Sequence, residues 1–299
     1  MSEDGALVNK LGKHLRREPS LVDRGLLRWV LSCQDDAEFA RRFRLANKRW
    51  QRPLDVSFDA DEQLFIVKSD GTETFVARRN QLNKYTGGSN ARAQDLANEY
   101  LLDRVRFSPG DVVIDVGANI GEVSRLLTAR HGVTPIAIEP DRREFAALAR
   151  NLCGFNAETH NALLWSEEAE LPFFDANDSG DSSVFNSGGG LRSEVRQATT
   201  LDLILEDSVH AKGPIRLIKL EAEGAEPEVL LGGRKTLLRT HYVTADLGPE
   251  RGVEQESTLA PVHEILTSHG FRIVDLRTRR LVVLYRRQVG SQLDLTDFR

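Results

Sequence analysis

Apolar positions recur at helical spacing near the start of the chain, then give way to short apolar runs alternating with helical stretches. Val22, Leu26, Trp29 and Cys33 follow at steps of four, three and four, which predicts an amphipathic helix from Leu21 onward. Asp35, Asp36 and Glu38 form an acidic start for a second helix, with Phe39, Phe43, Ala46 and Trp50 along its apolar face. Pro53 ends this region. Runs 64–68 and 72–77, joined through Ser69, Asp70 and Gly71, predict a β-hairpin with an Asp-Gly turn. Residues 83–90, with Gly87 and Gly88, predict a loop, and 91–105 resumes helical spacing through Leu96, Tyr100 and Leu101. Residues 1–20 are expected to fray. The expected organisation is a helical and β-hairpin appendage over 1–90, followed by the main domain over 91–299.

The later pattern is that of an α/β domain. Val112, Val113 and Ile114 form a β-branched run of the kind buried on both faces of a parallel sheet, and Asp115 closes it. Gly117, Asn119 and Gly121 make a tight turn, and Ile120, Val123 and Leu127 start a helix. A second run, 135–138, ends at Glu139, and Asp141 caps a helix over 141–151. Strands are expected at 160–165, 171–174, 215–220 and 242–247, with a helix over 199–207. A final hairpin of 271–276 and 281–285 makes one edge antiparallel in an otherwise parallel sheet. Residues 175–190, rich in Gly, Ser, Asp and Asn, are too polar for a core; they predict a disordered insertion or a mobile flap over the site.

Strand, glycine turn and helix together make a nucleotide site, because the helix start offers unpaired N–H groups beside bare backbone. A dinucleotide fingerprint needs a central glycine to approach the pyrophosphate. Here Ala118 and Asn119 stand in that place, and Asp115 would repel a phosphate while welcoming a cation. S-adenosylmethionine, with an ammonium, a sulfonium and no phosphate, fits. Glu139 stands where a carboxylate can take both ribose hydroxyls. The expected cofactor site is Asp115, Gly117, Ala118, Asn119, Gly121 and Glu139, with Asn161 and Ala162 near the adenine. A nicotinamide oxidoreductase would need the diphosphate contact that Asn119 obstructs.

Composition narrows this reading. The chain of 299 residues is 40% hydrophobic and 28% charged, an ordinary globular balance. Its net charge of −5 argues against a nucleic-acid substrate, which needs a basic face. No transmembrane run or signal peptide is visible, so a cytoplasmic protein is expected. Cys33 and Cys153 lack metal-ligand spacing and predict apolar fillers on helices. His241, at the start of the fifth strand, predicts a structural role.

Carboxylates gather where ligands bind in open α/β sheets, beyond the carboxyl ends of the strands. Glu226 and Glu228 flank Pro227 in the first turn of a helix, where acidic residues suit the dipole. Glu221 and Glu223 precede that turn, and Asp246 ends the neighbouring strand; these three are the candidate catalytic residues. Glu250 and Arg251 predict a surface ion pair. A carboxylate could act as general base on a hydroxyl, or the group could hold Mg²⁺.

The stretches VVIDVGANIGEVS, AIEPD, ALLWSEE, DSSVF, TTLDLIL, LIKLEAEGAEPEVLLGG and ADLGPERG together resemble the FkbM family of S-adenosylmethionine-dependent O-methyltransferases, over about residues 85–286. The common family form has Asp where this chain has Glu221. KLEAEGAEPE with DLGPERG resembles a branch associated with polysaccharide gene clusters. The resemblance implies a class I methyltransferase (Rossmann-like) sheet of seven strands with a reversed terminal hairpin. It also implies a hydroxyl acceptor on a small molecule or glycan, either a sugar or a polyketide. A DNA-adenine methyltransferase would show an Asn/Asp-Pro-Pro-aromatic turn where this chain has EAEG. A binder that keeps the cofactor without turnover is the remaining alternative.

Overall fold

The computed structural model describes residues 21–175, 182–185 and 192–288. The chain divides into two compact units, Met1–Asp95 and Leu96–Arg299. No described helix is long and apolar enough to cross a membrane.

In the first unit, α1 (Leu21–Leu31) is followed by α2 (Asp36–Arg49). Asp35 caps α2, its Oδ1 accepting from the Glu38 N–H at 2.7 Å. The buried face of α1 is not the expected one. Leu27 and Val30 are buried, whereas Val22 is 65% exposed and Trp29 points outward. Asp23 shares the inner face, where its carboxylate accepts the Trp50 indole N–H at 3.0 Å; the apolar spacing of Val22 and Trp29 lies on the solvent side. Strands β1 (Asp55–Asp59), β2 (Leu64–Ser69) and β3 (Thr72–Val76) form an antiparallel sheet in that order. The β2–β3 hairpin turns through Asp70 and Gly71, both at positive φ, as a primed turn requires. β1 was not foreseen, because Val56 is its only fully buried side chain. A 3₁₀ helix, Arg79–Tyr85, takes in the first residues of the expected loop.

Helix α3 (Ser89–Glu99) ends earlier than its spacing predicts, because Leu101 adopts φ +57° and a 3₁₀ turn follows. The second unit then builds a seven-stranded sheet. Its first strand in the chain is β4 (Val112–Val116), followed by α4 (Glu122–His131), β5 (Thr134–Ile138), α5 (Arg142–Asn151) and β6 (Glu158–His160). The expected strand 160–165 is split. After β6 the Asn161 amide donates to the carbonyls of Glu139 and Pro140 at 2.8 and 2.9 Å, turning the chain off the sheet. β7 (Leu163–Leu164) joins a separate small sheet with β8 (Ala169–Asp175) and β9 (Arg192–Thr199). β9 escaped notice because its sequence is polar and Val195 is 71% exposed.

The chain continues through α6 (Leu201–Asp207), β10 (Ile215–Leu220), α7 (Glu226–Leu231), α8 (Arg234–Leu237) and β11 (Thr240–Asp246). A short ribbon, β12 (Pro249–Arg251) with β13 (Glu256–Ser257), precedes α9 (Leu259–Ser268) and the hairpin β14 (Phe271–Arg277) and β15 (Val282–Arg287). The strand order is β14-β15-β11-β10-β4-β5-β6, with β15 antiparallel to both β11 and β14 and every other pair parallel. One sheet face, carrying Ile114, Ile136, Ile218 and Val243, packs on α6 to α9; Ala137 on the other meets Leu148 and Leu152 around α5. β5 and β6 lie on one side of β4 and β10 and β11 on the other, so its carboxyl end is the switch point where such sheets bind ligands. Cys33 is buried as expected, but Cys153 is exposed just past α5 and fills no core.

The corrected face of α1 has a direct test in urea unfolding of the first unit. Leu27→Ala is expected to cost about 2–5 kcal/mol, and Val22→Ala to stay within about 0.5 kcal/mol of wild type. The reverse ranking would contradict this face.

Candidate active site

The turn after β4 is shaped by close backbone approach. Gly117 adopts φ +64°, and a Cβ there would lie 1.8 Å from the Glu221 carbonyl oxygen, so no side chain can be accommodated. Gly121, at φ +82°, faces Leu148 of α5, with 2.7 Å to an imagined Cβ. Asn119 takes φ +51°, a conformation Asn tolerates better than most residues. Its N–H donates to Glu139 Oε2 at 2.7 Å, and the Asp141 N–H donates to Oε1 at 2.8 Å. The Ala118 N–H reaches the Ile138 carbonyl at 3.0 Å. Burial pushes the Glu139 carboxyl up to about 8, although both backbone donors pull it down. Gly117, Ala118, Asn119, Gly121, Glu139 and Asn161 thus gather beyond β4 and β5; Ala162 is half-buried against the main core.

Asp115 is placed differently from the rest. It is fully buried, and its Oδ2 accepts from the Ser124 N–H at 3.2 Å and the Ser124 hydroxyl at 2.7 Å. Its charge faces Lys219, 3.4 Å away and directly opposite on β10. Asp115 therefore ties β4 to the start of α4 from inside the protein.

Lys219 is the residue that joins the two halves of the site. Its ammonium donates to the Gly117 carbonyl at 2.6 Å and the Val116 carbonyl at 3.2 Å, and lies 3.1 Å from Glu221 Oε2. The Tyr100 ring sits 5.2 Å from it. Burial works against this charge, but Glu221 and Asp115 outweigh it and hold the ammonium above its ordinary range. Glu221 also accepts the Tyr100 hydroxyl and an Arg280 N–H. Burial alone would raise Glu221; Lys219 and Arg280 hold it instead at about 2. Arg280 reaches across to Asp246 and Glu99 as well. Asp246, 1% exposed, is raised by burial despite Arg280 and accepts the Gly248 N–H at 3.2 Å.

The remaining carboxylates divide by partner. Glu226 is buried and organises its own loop, accepting from the N–H groups of Ala222 at 2.7 Å and Gly224 at 3.2 Å. Glu228 binds the Arg251 guanidinium through both oxygens, at 2.7 and 2.9 Å, so the expected Glu250–Arg251 pair does not form. Glu223 adopts φ +48°, and its carbonyl accepts the Ser183 hydroxyl at 2.8 Å. Ser182 donates to Asp141 at 2.9 Å, so this short segment touches the cofactor side and the carboxylate side together. Most of the polar stretch 175–190 lies outside the described residues. No group of three or more His, Cys, Asp or Glu is arranged to hold a metal among the described residues, and Glu221 and Asp246 face Arg280 instead; the Mg²⁺ expectation finds no donor set.

Lys219, Tyr100, Arg280 and Ser182 were not singled out in the sequence. A lysine in the buried strand IRLIKL was the available signal, since a buried lysine requires partners. Arg280, in a hairpin turn far along the chain, offered none.

The raised Glu139 carboxyl sets a pH dependence. Between its ordinary value of 4.5 and about 8 the folded state binds more protons, so this stabilising term is present below 4.5 and fades as pH rises toward 8. Urea unfolding at pH 5, 6.5 and 8 is expected to show a smaller decline for Glu139→Gln than for wild type. Equal declines would contradict the assignment.

Residues 115–273 match the family described as "Methyltransferase FkbM domain". The chain is similar to the 2-O-methyltransferase NoeI of Sinorhizobium fredii, at 23% identity over 54% of this chain and 72% of the relative. It is also similar to the 31-O-demethyl-FK506 methyltransferase FkbM of Streptomyces tacrolimicus, at 29% identity over 58% of this chain and 78% of that one. Among solved structures, the precorrin-6y C5,15-methyltransferase of Geobacter metallireducens GS-15 aligns with a TM-score of 0.40 at 13% identity, covering 65% of this chain and 89% of that one. With the family match spanning more than half of the chain, this protein belongs to the FkbM methyltransferase domain family.

Proposed function

We propose that this S-adenosylmethionine-dependent methyltransferase methylates a hydroxyl on a sugar of a polysaccharide or glycoconjugate precursor. The observation that carries the cofactor side is the buried Glu139 carboxylate beside the glycine turn. A carboxylate offers about four lone-pair sites, and Glu139 uses one on each of two backbone N–H groups. Acceptors therefore remain for the two ribose hydroxyls, while Gly117, Ala118 and Gly121 leave the turn without a bulky side chain. Asn161 and Ala162, just past β6, are proposed for the adenine. When bound, the cofactor supplies a sulfonium-activated methyl group.

An oxygen acceptor is supported by the names of both curated relatives, each of which denotes methylation at oxygen. The sugar is supported by the resemblance of KLEAEGAEPE and DLGPERG to a polysaccharide-associated branch. The relative at 29% identity favours a polyketide-type acceptor as the second reading. The net charge of −5 supports a small molecule or glycan over nucleic acid.

The chain's part in the reaction is chiefly alignment of acceptor oxygen and methyl group. Glu221, held at about 2 between Lys219 and Arg280, is a poor proton acceptor. It and Asp246 are proposed to fix Arg280 and Tyr100 at the acceptor side, with Glu223 on the adjoining turn.

Calorimetry tests the cofactor. S-adenosylhomocysteine is expected to bind and NAD⁺ to bind far more weakly, and Glu139→Ala is expected to weaken S-adenosylhomocysteine by about 1.5–3 kcal/mol, the range for hydrogen bonds to charged groups. Tighter NAD⁺ binding would contradict the reading. For the acceptor, labelled methyl transfer to a panel of sugars should give methyl ethers; methylation only at nitrogen or carbon would overturn it.

A further inference from the structure

We infer that Glu250 is the group that takes the proton from the acceptor hydroxyl, an inference that rests on the oxygen-methylating function proposed above. Three observations converge on it. The first is position: Glu250 lies in β12, just beyond the turn that follows β11, at the carboxyl edge of the sheet and on the side of β4 opposite Glu139. The second is direction: its carboxyl folds back over Gly248. A Cβ on Gly248 would lie 3.6 Å from Glu250 Oε1 and 3.4 Å from Asp246 Oδ1, so the two carboxyls approach each other above that glycine. The third is the commitment of nearby cations elsewhere. Arg251, the sequence neighbour, is held by Glu228 and the Gly224 carbonyl. Arg280 is shared among Glu99, Glu221 and Asp246.

Glu250 therefore differs in kind from the other acidic residues of the site. Glu221 is pinned by two cations, Asp246 is sealed beneath Arg280, and Glu226 and Glu228 are occupied within their own loop. The groups facing Glu250 are Asp246 on β11, Glu221 after β10, Glu226 at the start of α7 and Arg280 between β14 and β15. Burial, then the charges of Asp246 and Glu221, lift its carboxyl to about 8, against the opposing charge of Arg280. That value suits a general base, which works best when its pKa lies near the operating pH.

The proton balance is simple. As the acceptor oxygen bonds to the methyl carbon, the carbon–sulfur bond breaks and its electron pair stays on sulfur. The hydroxyl proton passes to the Glu250 carboxylate and from there to solvent. No oxidant, reductant or further reactant is required.

The test uses the full-length protein and a hydroxyl acceptor that the wild type methylates. Glu250→Gln should lower kcat by about 10²–10⁴ while S-adenosylhomocysteine affinity stays within about threefold of wild type. In wild type, kcat should rise with pH as Glu250 deprotonates, and that limb should vanish in the variant. A difference titration of wild type against Glu250→Gln, with no substrate present, should show one carboxyl titrating far above the ordinary range. Glu250→Ala should recover turnover when formate is added, which a structural role would not produce. Three results would overturn the inference: near-normal kcat in Glu250→Gln, an unchanged pH limb, or loss of S-adenosylhomocysteine binding together with activity and no formate rescue. If wild type methylates no hydroxyl at all, the function proposed above fails instead, and the difference titration still reports on Glu250.

Discussion

The site depends on one buried cation, Lys219, set between two carboxylates at the carboxyl ends of the central strands. Burying a lysine is unfavourable unless its charge and all its donors are matched. Here Asp115 lies opposite on the adjacent strand and Glu221 follows on the same chain, and the carbonyls of Val116 and Gly117 take the remaining protons. The ammonium therefore binds the glycine turn itself, along with the charges on each side of it. Gly117 leaves the space that this arrangement needs, since any side chain there would meet the Glu221 carbonyl.

From this centre the two sides of the site acquire opposite electrostatic character. Glu139, on the β5 side, is buried and held by backbone donors, and burial raises its carboxyl to about 8. Glu221, on the β10 side, is half-buried and faces Lys219 and Arg280, and is held at about 2. Chemically identical groups are thus given different tasks by their surroundings, the separation of pKa values that marks acid–base sites in general. A raised carboxyl next to the glycine turn suits hydroxyl recognition, because hydroxyl donors favour its charged form. A permanently charged Glu221 suits the anchoring of Arg280 and Tyr100.

Local features were legible in the sequence and distant ones were not. The glycine turn and the Asp141 cap were readable because glycine spacing and a cap residue are signals carried by neighbouring positions. The parallel strands around β4 were readable because burial on both faces leaves continuous apolar runs. β1 and β9 were hidden because their exposed faces carry polar residues, and the 160–165 run was split because the Asn161 side chain competes with sheet pairing. The contacts of Asp115 with Ser124 and Lys219 join it to another turn of chain and another strand, which its position before the glycine turn does not reveal. Arg280 could not be foreseen, since only the folded hairpin brings it to Glu221 and Asp246.

The measurement that bears most directly on this account is the combined stability and S-adenosylhomocysteine affinity of Lys219→Met. Removing one partner of a buried ion pair typically costs about 3–5 kcal/mol. The account predicts a loss of that size in urea unfolding of the second unit, with weaker ligand binding as the turn loses its anchor. Converting Asp115 and Glu221 to their amides in the same variant should restore much of the stability. A Lys219→Met protein within about 1 kcal/mol of wild type, with unchanged affinity, would contradict the central role given to this residue.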